Sequence, residues 1–160
     1  MALRIGHGFD SHRLVEGRPC FLGGVAIDSP VGPEGHSDGD VILHALADAL
    51  LGAAAAGDLG TLFGEERLEW KGASSSRFVE EVLARTGPRA ILNVDITVVG
   101  LRPRLAPYRE PMRERIAALL GIEKAQVSVK ACSGNGLTDF GRGEGVASTV
   151  VLLAEFPGRP

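Results

Sequence analysis

The segment that most restricts the fold of this chain runs from residue 40 to residue 56, where VILHALADALLGAAAA follows Asp40. It is rich in Ala and Leu and long enough for a helix of several turns, with Ser37 or Asp38 available as its N-cap. The remaining elements have to be arranged around it. Residues 3–9 and 20–27 are β-compatible and closed by Gly, Asp, Ser or Pro, which predicts two early strands. Residues 74–85 read as an amphipathic helix, with Phe78, Val82 and Leu83 apolar and Glu80, Glu81 and Arg85 polar. Residues 91–99 alternate as a half-buried strand, residues 107–120 form a third helix stopped by Gly121, and residues 127–131 and 146–156 are two closing strands. The order ββ-α-α-β-α-ββ predicts an α+β fold (an α/β sandwich), a mixed β-sheet with helices packed on one face.

No repeat, low-complexity tract or linker divides the chain, so its 160 residues are expected to form a single domain, with a loose tail at 157–160. A chain of this length can bury a sizeable core without help from a disulfide or a metal, so any metal site is a candidate for function. Seventeen basic residues against 20 acidic ones leave a net charge of −3, and aromatic residues are only 5%. That balance offers no electrostatic footprint for nucleic acid. No apolar run approaches the roughly 18 residues of a membrane span, and residues 1–12 lack a signal-peptide core, so a soluble, cytoplasmic protein is expected. Cys20 and Cys132 are expected to be reduced. The 22 glycines, about twice the usual ~7% share, cluster where apolar segments begin or end, as tight turns and close backbone approaches require.

All four histidines, His7, His12, His36 and His44, lie in the first 44 positions, beside Asp10, Asp38, Asp40 and Asp48. Asp10 and His12 are separated by one residue, so in extended backbone both project from one face. His44 sits one turn into the long helix, with Asp40 at i−4 and Asp48 at i+4. One carboxylate and two imidazoles suit Zn²⁺ or a similar borderline ion and leave a coordination position open, as catalytic sites do. The nearby aspartates are candidates for orienting the imidazoles. His36-Ser37-Asp38-Gly39-Asp40 leads straight into the helix, where exposed amides favour a phosphate; an ordinary capped turn accounts for it equally well. Lys130, Arg142, Arg102 and Arg104 are further candidates for anion contacts. No Walker-type P-loop, dinucleotide fingerprint or nucleophile elbow occurs. Residue chemistry alone thus leads to a metal-assisted phosphoryl-transfer or phosphoester enzyme.

The blocks RIGHGFDSH, FLGG, HSDGDVILHALADALLGAAAAGDLG, WKGASS, NVDITVV, VSVKA and GRGEG make the chain resemble, nearly end to end, the 2-C-methyl-D-erythritol 2,4-cyclodiphosphate synthase family. The resemblance implies a lyase of non-mevalonate isoprenoid biosynthesis that converts 4-diphosphocytidyl-2-C-methyl-D-erythritol 2-phosphate into the cyclic diphosphate with release of CMP. It implies one Zn²⁺ per subunit on Asp10, His12 and His44, and a second divalent ion, Mg²⁺ or Mn²⁺, between the phosphates. It assigns His36 and Ser133 to transition-state stabilisation and Ser11 and Ser37 to substrate contact beside the metal ligands. It assigns Asp58, Leu59 and Gly60 to the methylerythritol part and residues 63–67 to a mobile substrate-side loop. The cytidine pocket is expected from Gly100, Pro103, Arg104, Leu105 and Ala106 on one stretch and Ala131, Cys132, Ser133, Gly134 and Asn135 on another. The family assembles as a homotrimer with active sites between subunits, and Arg142 and Glu144 would line a central channel where an isoprenoid phosphate can sit; a salt-bridged turn is the alternative for GRGEG.

Departures from the family pattern are local. Asn135 stands where a glutamate usually helps hold the second ion, and a neutral amide is a weaker ligand than a carboxylate, so that ion is expected to be held mainly by the substrate. Arg104 stands where a lysine is usual, Gly64-Glu65-Glu66-Arg67 replaces P-D-T-D, and Thr138-Asp139-Phe140 replaces G-F-T.

Overall fold

The computed structural model describes residues 1–64 and 72–157. Its centre is a five-stranded sheet in the order β4-β1-β7-β5-β6. β1 (Ala2–Glu16), β4 (Val31–Pro33) and β7 (Gly145–Phe156) pair antiparallel, β5 (Ala90–Val99) joins β7 antiparallel, and β6 (Val127–Cys132) adds parallel to β5. β2 (Cys20–Leu22) and β3 (Val25–Ile27) form a separate hairpin. The helices are α1 (Val41–Ala54), α2 (Leu59–Phe63), α3 (Ser75–Thr86), α4 (Arg109–Leu120) and the single turn α5 (Thr138–Gly141).

The expected mixed sheet with helices is therefore present. Several boundaries differ from the expectation, each for a local reason. The strand expected over residues 20–27 is a hairpin, because Gly23 and Gly24 both adopt positive φ and turn the chain. The first strand runs on to Glu16, since it pairs with β7 from Ala2 through Arg13 and with β4 from Leu14 through Glu16. α4 begins at Arg109 because a 3₁₀ turn over Ala106–Tyr108 precedes it. α1 is capped by neither Ser37 nor Asp38 but by Asp40, whose carboxylate accepts from the amides of Ile42 and Leu43.

β1 alternates strictly. Leu3, Ile5, His7, Phe9 and Ser11 are exposed on the outer face, whereas Gly6 and Gly8 are buried beneath α1. A Cβ on Gly6 would stand 1.9 Å from the carbonyl oxygen of Ala49, and one on Gly8 1.9 Å from that of Ala45. Absent side chains on the strand and small ones on the helix thus let the two backbones meet, which pulls the first turn of α1 down onto Asp10 and His12. α1 is the middle of the core: Ile42, Leu43, Leu46, Leu50 and Leu51 are fully buried. They pack in one cluster with Ile96, Val150 and Leu152 of the sheet and Met112 and Ile116 of α4. Cys20 and Cys132 are both free thiols. Among the described residues no helix is long and apolar enough to cross a membrane.

Candidate metal centre and adjoining cavity

Asp10 and His12 lie two residues apart on β1 and share the face toward α1, as the spacing predicts. Asp10 Oδ2 lies 3.1 Å from His12 Nε2 and 3.0 Å from His44 Nδ1. One ligand atom from each of the three side chains falls within 4.8 Å of the others. A tetrahedral ion holding N and O ligands at about 2.0–2.1 Å separates them by about 3.4 Å, so the donor set and its spacing fit a small divalent cation. Burial alone would raise the Asp10 carboxyl, but hydrogen bonds from His12 and His44 outweigh it and hold the group down at about 2. Burial of His44 opposes its charged form, yet the Asp10 hydrogen bond and the surrounding carboxylates raise its pKa. The site is therefore a negative charge facing two imidazoles, one of them deeply set, and when His44 is protonated its Nδ1 proton stands where a cation would compete for it.

The aspartates flanking His44 on its own helix do not orient it. Asp40 is fully buried and accepts from Gly23 N at 2.9 Å and Gly24 N at 2.7 Å as well as from its own helix, so it fastens the β2–β3 hairpin to α1. Burial pushes its carboxyl up to about 6 while those amides favour the ion. Asp48 accepts from Leu59 N at 2.8 Å and fixes the start of α2. The groups that touch the outer nitrogen of His44 are hydroxyls: Ser75 Oγ at 2.9 Å and Ser37 Oγ at 3.2 Å from Nε2. Ser75 is a contact that sequence reasoning missed; its signals were its place in the WKGASS block and in the Ser74-Ser75-Ser76 run at a helix start.

Other predicted residues are distributed around this cluster. Ser37 reaches His44, and the Arg18 guanidinium holds its loop by donating to the carbonyls of Gly35 at 2.7 Å and Ser37 at 2.8 Å. His36 is exposed, and its carbonyl accepts from Gly72 N at 2.9 Å. Ser11 projects from the opposite face of β1, away from the cluster. Asp58 caps α2 by accepting from Thr61 N at 2.7 Å, with Leu59 and Gly60 in its first turn. Residues 65–67 of the expected mobile loop, and Trp70 and Lys71 of the WKGASS block, lie outside the described residues.

A cavity of about 290 Å³ is lined by Gly100, Pro103, Arg104, Leu105, Ala106, Ala131, Cys132 and Ser133, together with Arg102 and Arg109. It gathers the two predicted stretches except Gly134 and Asn135. Asp10 pairs with Ser148, Ser148 with Val98 and Val98 with Ala131, so cluster and cavity lie on one row across the sheet. Three strand spacings separate Asp10 from Ala131 by about 14 Å, while Val146, which also lines the cavity, pairs with His12 itself. A larger cleft of about 730 Å³, bordered by Leu83, Pro88, Ile91, Leu120, Ile122 and Gln126, contains none of the predicted site residues. Of the candidate anion contacts, Lys130 is paired with Asp95 at 2.6 Å, Arg102 donates to the Gly143 carbonyl at 2.9 Å, and Arg142 is paired with Asp139 and Glu144. Arg104 is exposed at the cavity.

Fold and site together define an α+β protein that brings a carboxylate and two imidazoles to a cation position beside a small cavity. The chain belongs to the YgbB family, whose model it matches over residues 3–155. It is 50% identical over 157 residues to the 2-C-methyl-D-erythritol 2,4-cyclodiphosphate synthase of Laribacter hongkongensis, covering 97% of both chains. It is also similar to a solved 2C-methyl-D-erythritol-2,4-cyclodiphosphate synthase, with a TM-score of 0.88 and 38% identity over 95% of this chain and all (100%) of that one. A CDP-bound form of such a synthase matches with a TM-score of 0.84 and 36% identity over 95% of this chain and 100% of that one.

Proposed function

We propose that this chain converts 4-diphosphocytidyl-2-C-methyl-D-erythritol 2-phosphate into 2-C-methyl-D-erythritol 2,4-cyclodiphosphate and CMP. The observation that carries this reading is the Asp10/His12/His44 cluster in a chain half identical, along nearly its whole length, to a curated synthase. In the reaction an oxygen of the 2-phosphate attacks the β-phosphorus. The bond from that phosphorus to the bridging oxygen breaks, and CMP leaves with the oxygen and its electron pair. The nucleophile is already ionised, so the chain need not supply a general base; its work is positioning and charge neutralisation. Asp10, His12 and His44 would hold a divalent cation, Zn²⁺ in our reading, which would neutralise phosphate charge.

His36 and Ser37, on the loop tied down by Arg18, would hold phosphate oxygens beside that ion. The 290 Å³ cavity would take the cytidine, largely through backbone groups of the two stretches that line it. Ser133 would donate to the transition-state charge; its hydroxyl now makes a long, 3.3 Å bond to Asn135 Oδ1 that it can exchange for a phosphate oxygen. Asn135 offers no carboxylate, so a second ion, Mg²⁺ or Mn²⁺, would rest mainly on substrate oxygens. The outer face of the sheet, where Leu3, Ile5, Phe9 and Val151 are exposed, supports assembly with neighbouring copies and a site shared between them, as in a homotrimer. Arg142 is occupied by Asp139 and Glu144, which favours a salt-bridged turn over a channel contact for isoprenoid phosphate.

Incubating the protein with Zn²⁺, Mg²⁺ and the cytidyl substrate in ¹⁸O-water should give equal amounts of CMP and an unlabelled cyclic product. Label in an opened product would make the chain a metal-dependent phosphodiester hydrolase instead, and binding without CMP release would make it a ligand-binding module.

A further inference from the structure

His44 is the one cluster residue whose ring is held on both sides by named partners. Nδ1 faces Asp10 Oδ2 at 3.0 Å, and Nε2 faces Ser75 Oγ at 2.9 Å. Ser75 is fully buried and is the first residue of α3. Its backbone amide donates to Asp38 Oδ2 at 2.9 Å, and its hydroxyl makes a very short bond to Asp38 Oδ1. Asp38 is fixed in turn by the Asp40 amide, which donates to Oδ1 at 3.1 Å. Both Asp38 oxygens already accept backbone amides, so the single hydroxyl proton of Ser75 is committed to the third bond, to Asp38 Oδ1. The Ser75 oxygen can then only accept from the imidazole. Ser37, farther off at 3.2 Å, cannot reverse this: a hydroxyl donating to a bare Nε2 would leave the ring lone pair against the Ser75 oxygen. Phe78 sets the ring plane with an edge contact, centroids 5.7 Å apart at 81°.

We propose that Asp38 and Ser75 are positioning residues for the metal centre: they fix the neutral His44 ring with its proton on Nε2, so that the Nδ1 lone pair faces Asp10 across the cation position. This rests on the metal reading of the cluster and extends it to two residues outside it. Two acceptors 3.0 Å apart with no proton between them repel each other until a cation joins them. The relay thereby prevents the Nδ1–H···Asp10 bond that would otherwise close the site when the His44 ring is neutral.

The test uses the full chain, metal-free and zinc-loaded. Long-range ¹H–¹⁵N spectra of the metal-free protein, recorded above the His44 titration, should show the Nε2–H tautomer at His44. Ser75→Ala should lose that signature and weaken Zn²⁺ binding, measured by competition with a chromophoric chelator, by about tenfold to a hundredfold. Ser75→Thr, which keeps the hydroxyl, should restore both. Asp38→Asn, whose amide can donate to Ser75 and free its proton for Nε2, should shift the ring toward Nδ1–H. An Nδ1–H tautomer in the unaltered protein, or Ser75→Ala binding Zn²⁺ within about twofold of it, overturns the proposal. Failure of the unaltered protein to bind Zn²⁺ at all, with the Nε2–H signature present, removes the metal reading and leaves the tautomer lock standing, so the two failures are distinguishable.

Discussion

Two regions on one row of the sheet differ in how their side chains are held. At the β1–α1 contact, His44 is wedged between Asp10, Ser75 and Ser37, and the backbones touch through Gly6 and Gly8. About three strands away, the loop after β6 is exposed and bonds largely to itself. Ser133 caps Asn135, Arg142 pairs with Asp139 and Glu144, and Asn135 and Thr138 carry positive φ of 52° and 61°. The first region fixes positions to the accuracy a cation needs. The second can exchange partners when a ligand arrives. Among the described residues the departures at Arg104, Asn135, Thr138 and Asp139 are exposed and none lies at the β1–α1 contact, as expected if only the contact fixes geometry for the chemistry.

The sharpest way to break this comparison is His44→Ala, which should abolish stoichiometric metal and lower CMP formation by more than about a thousandfold while circular dichroism stays unchanged. Unchanged metal content would refute the ligand assignment. Gly8→Val comes next. Its side chain would occupy the space of the Ala45 carbonyl, 1.9 Å from the ideal Cβ, so denaturant unfolding should show a loss of about 3 kcal/mol and zinc affinity should fall with it. A neutral result would mean that the close approach does not set the site.

A pH series separates proton from cation at the rigid end. The Asp10 carboxyl lies at about 2, below its ordinary 3.8, so its contribution to metal-free stability is present above 3.8 and lost as pH falls toward 2. His44 is raised above its ordinary 6.5, so its contribution is complete below 6.5 and lost as pH rises through the raised value. Metal-free protein should therefore be most stable between those limits. Because the ion displaces the His44 proton, zinc affinity should fall about tenfold per pH unit below the raised value. A flat affinity profile would detach His44 from the ion. At the adaptable end, Ser133→Ala should lower kcat about tenfold with little change in KM; an equal change in both would assign it to ground-state binding. The smallest effect is expected from Thr138→Gly, which relieves a β-branched residue at φ 61° and should raise stability by about 1 kcal/mol in thermal unfolding. A loss would show that the turn is shaped around the threonine.

The sheet and its main helices were legible because periodicity and turn residues act over a few positions. The hairpin at Gly23-Gly24 and the short α2 were not, since three-residue strands and a five-residue helix carry too little pattern. Asp10 and His12 were legible as a pair because alternation on a strand is a local rule. Asp40 and Asp48 misled at i−4 and i+4 because helical proximity to His44 does not say which amides claim a carboxylate: the hairpin took Asp40, and α2 took Asp48. Ser75 could not be found, because nothing within a few residues of it relates it to His44, 31 positions away.

By itself the sequence determined which side chains can ligate, that two of them share a strand face, and that a long helix carries the third. Only the tertiary structure decided that the third meets the first, 34 positions apart, and which nitrogen of His44 it presents. The reason is steric and electrostatic together. The helix can descend onto the strand only where Gly6 and Gly8 leave room, and the ring's protons are set by Asp38 and Ser75, which reach it through space rather than along the chain.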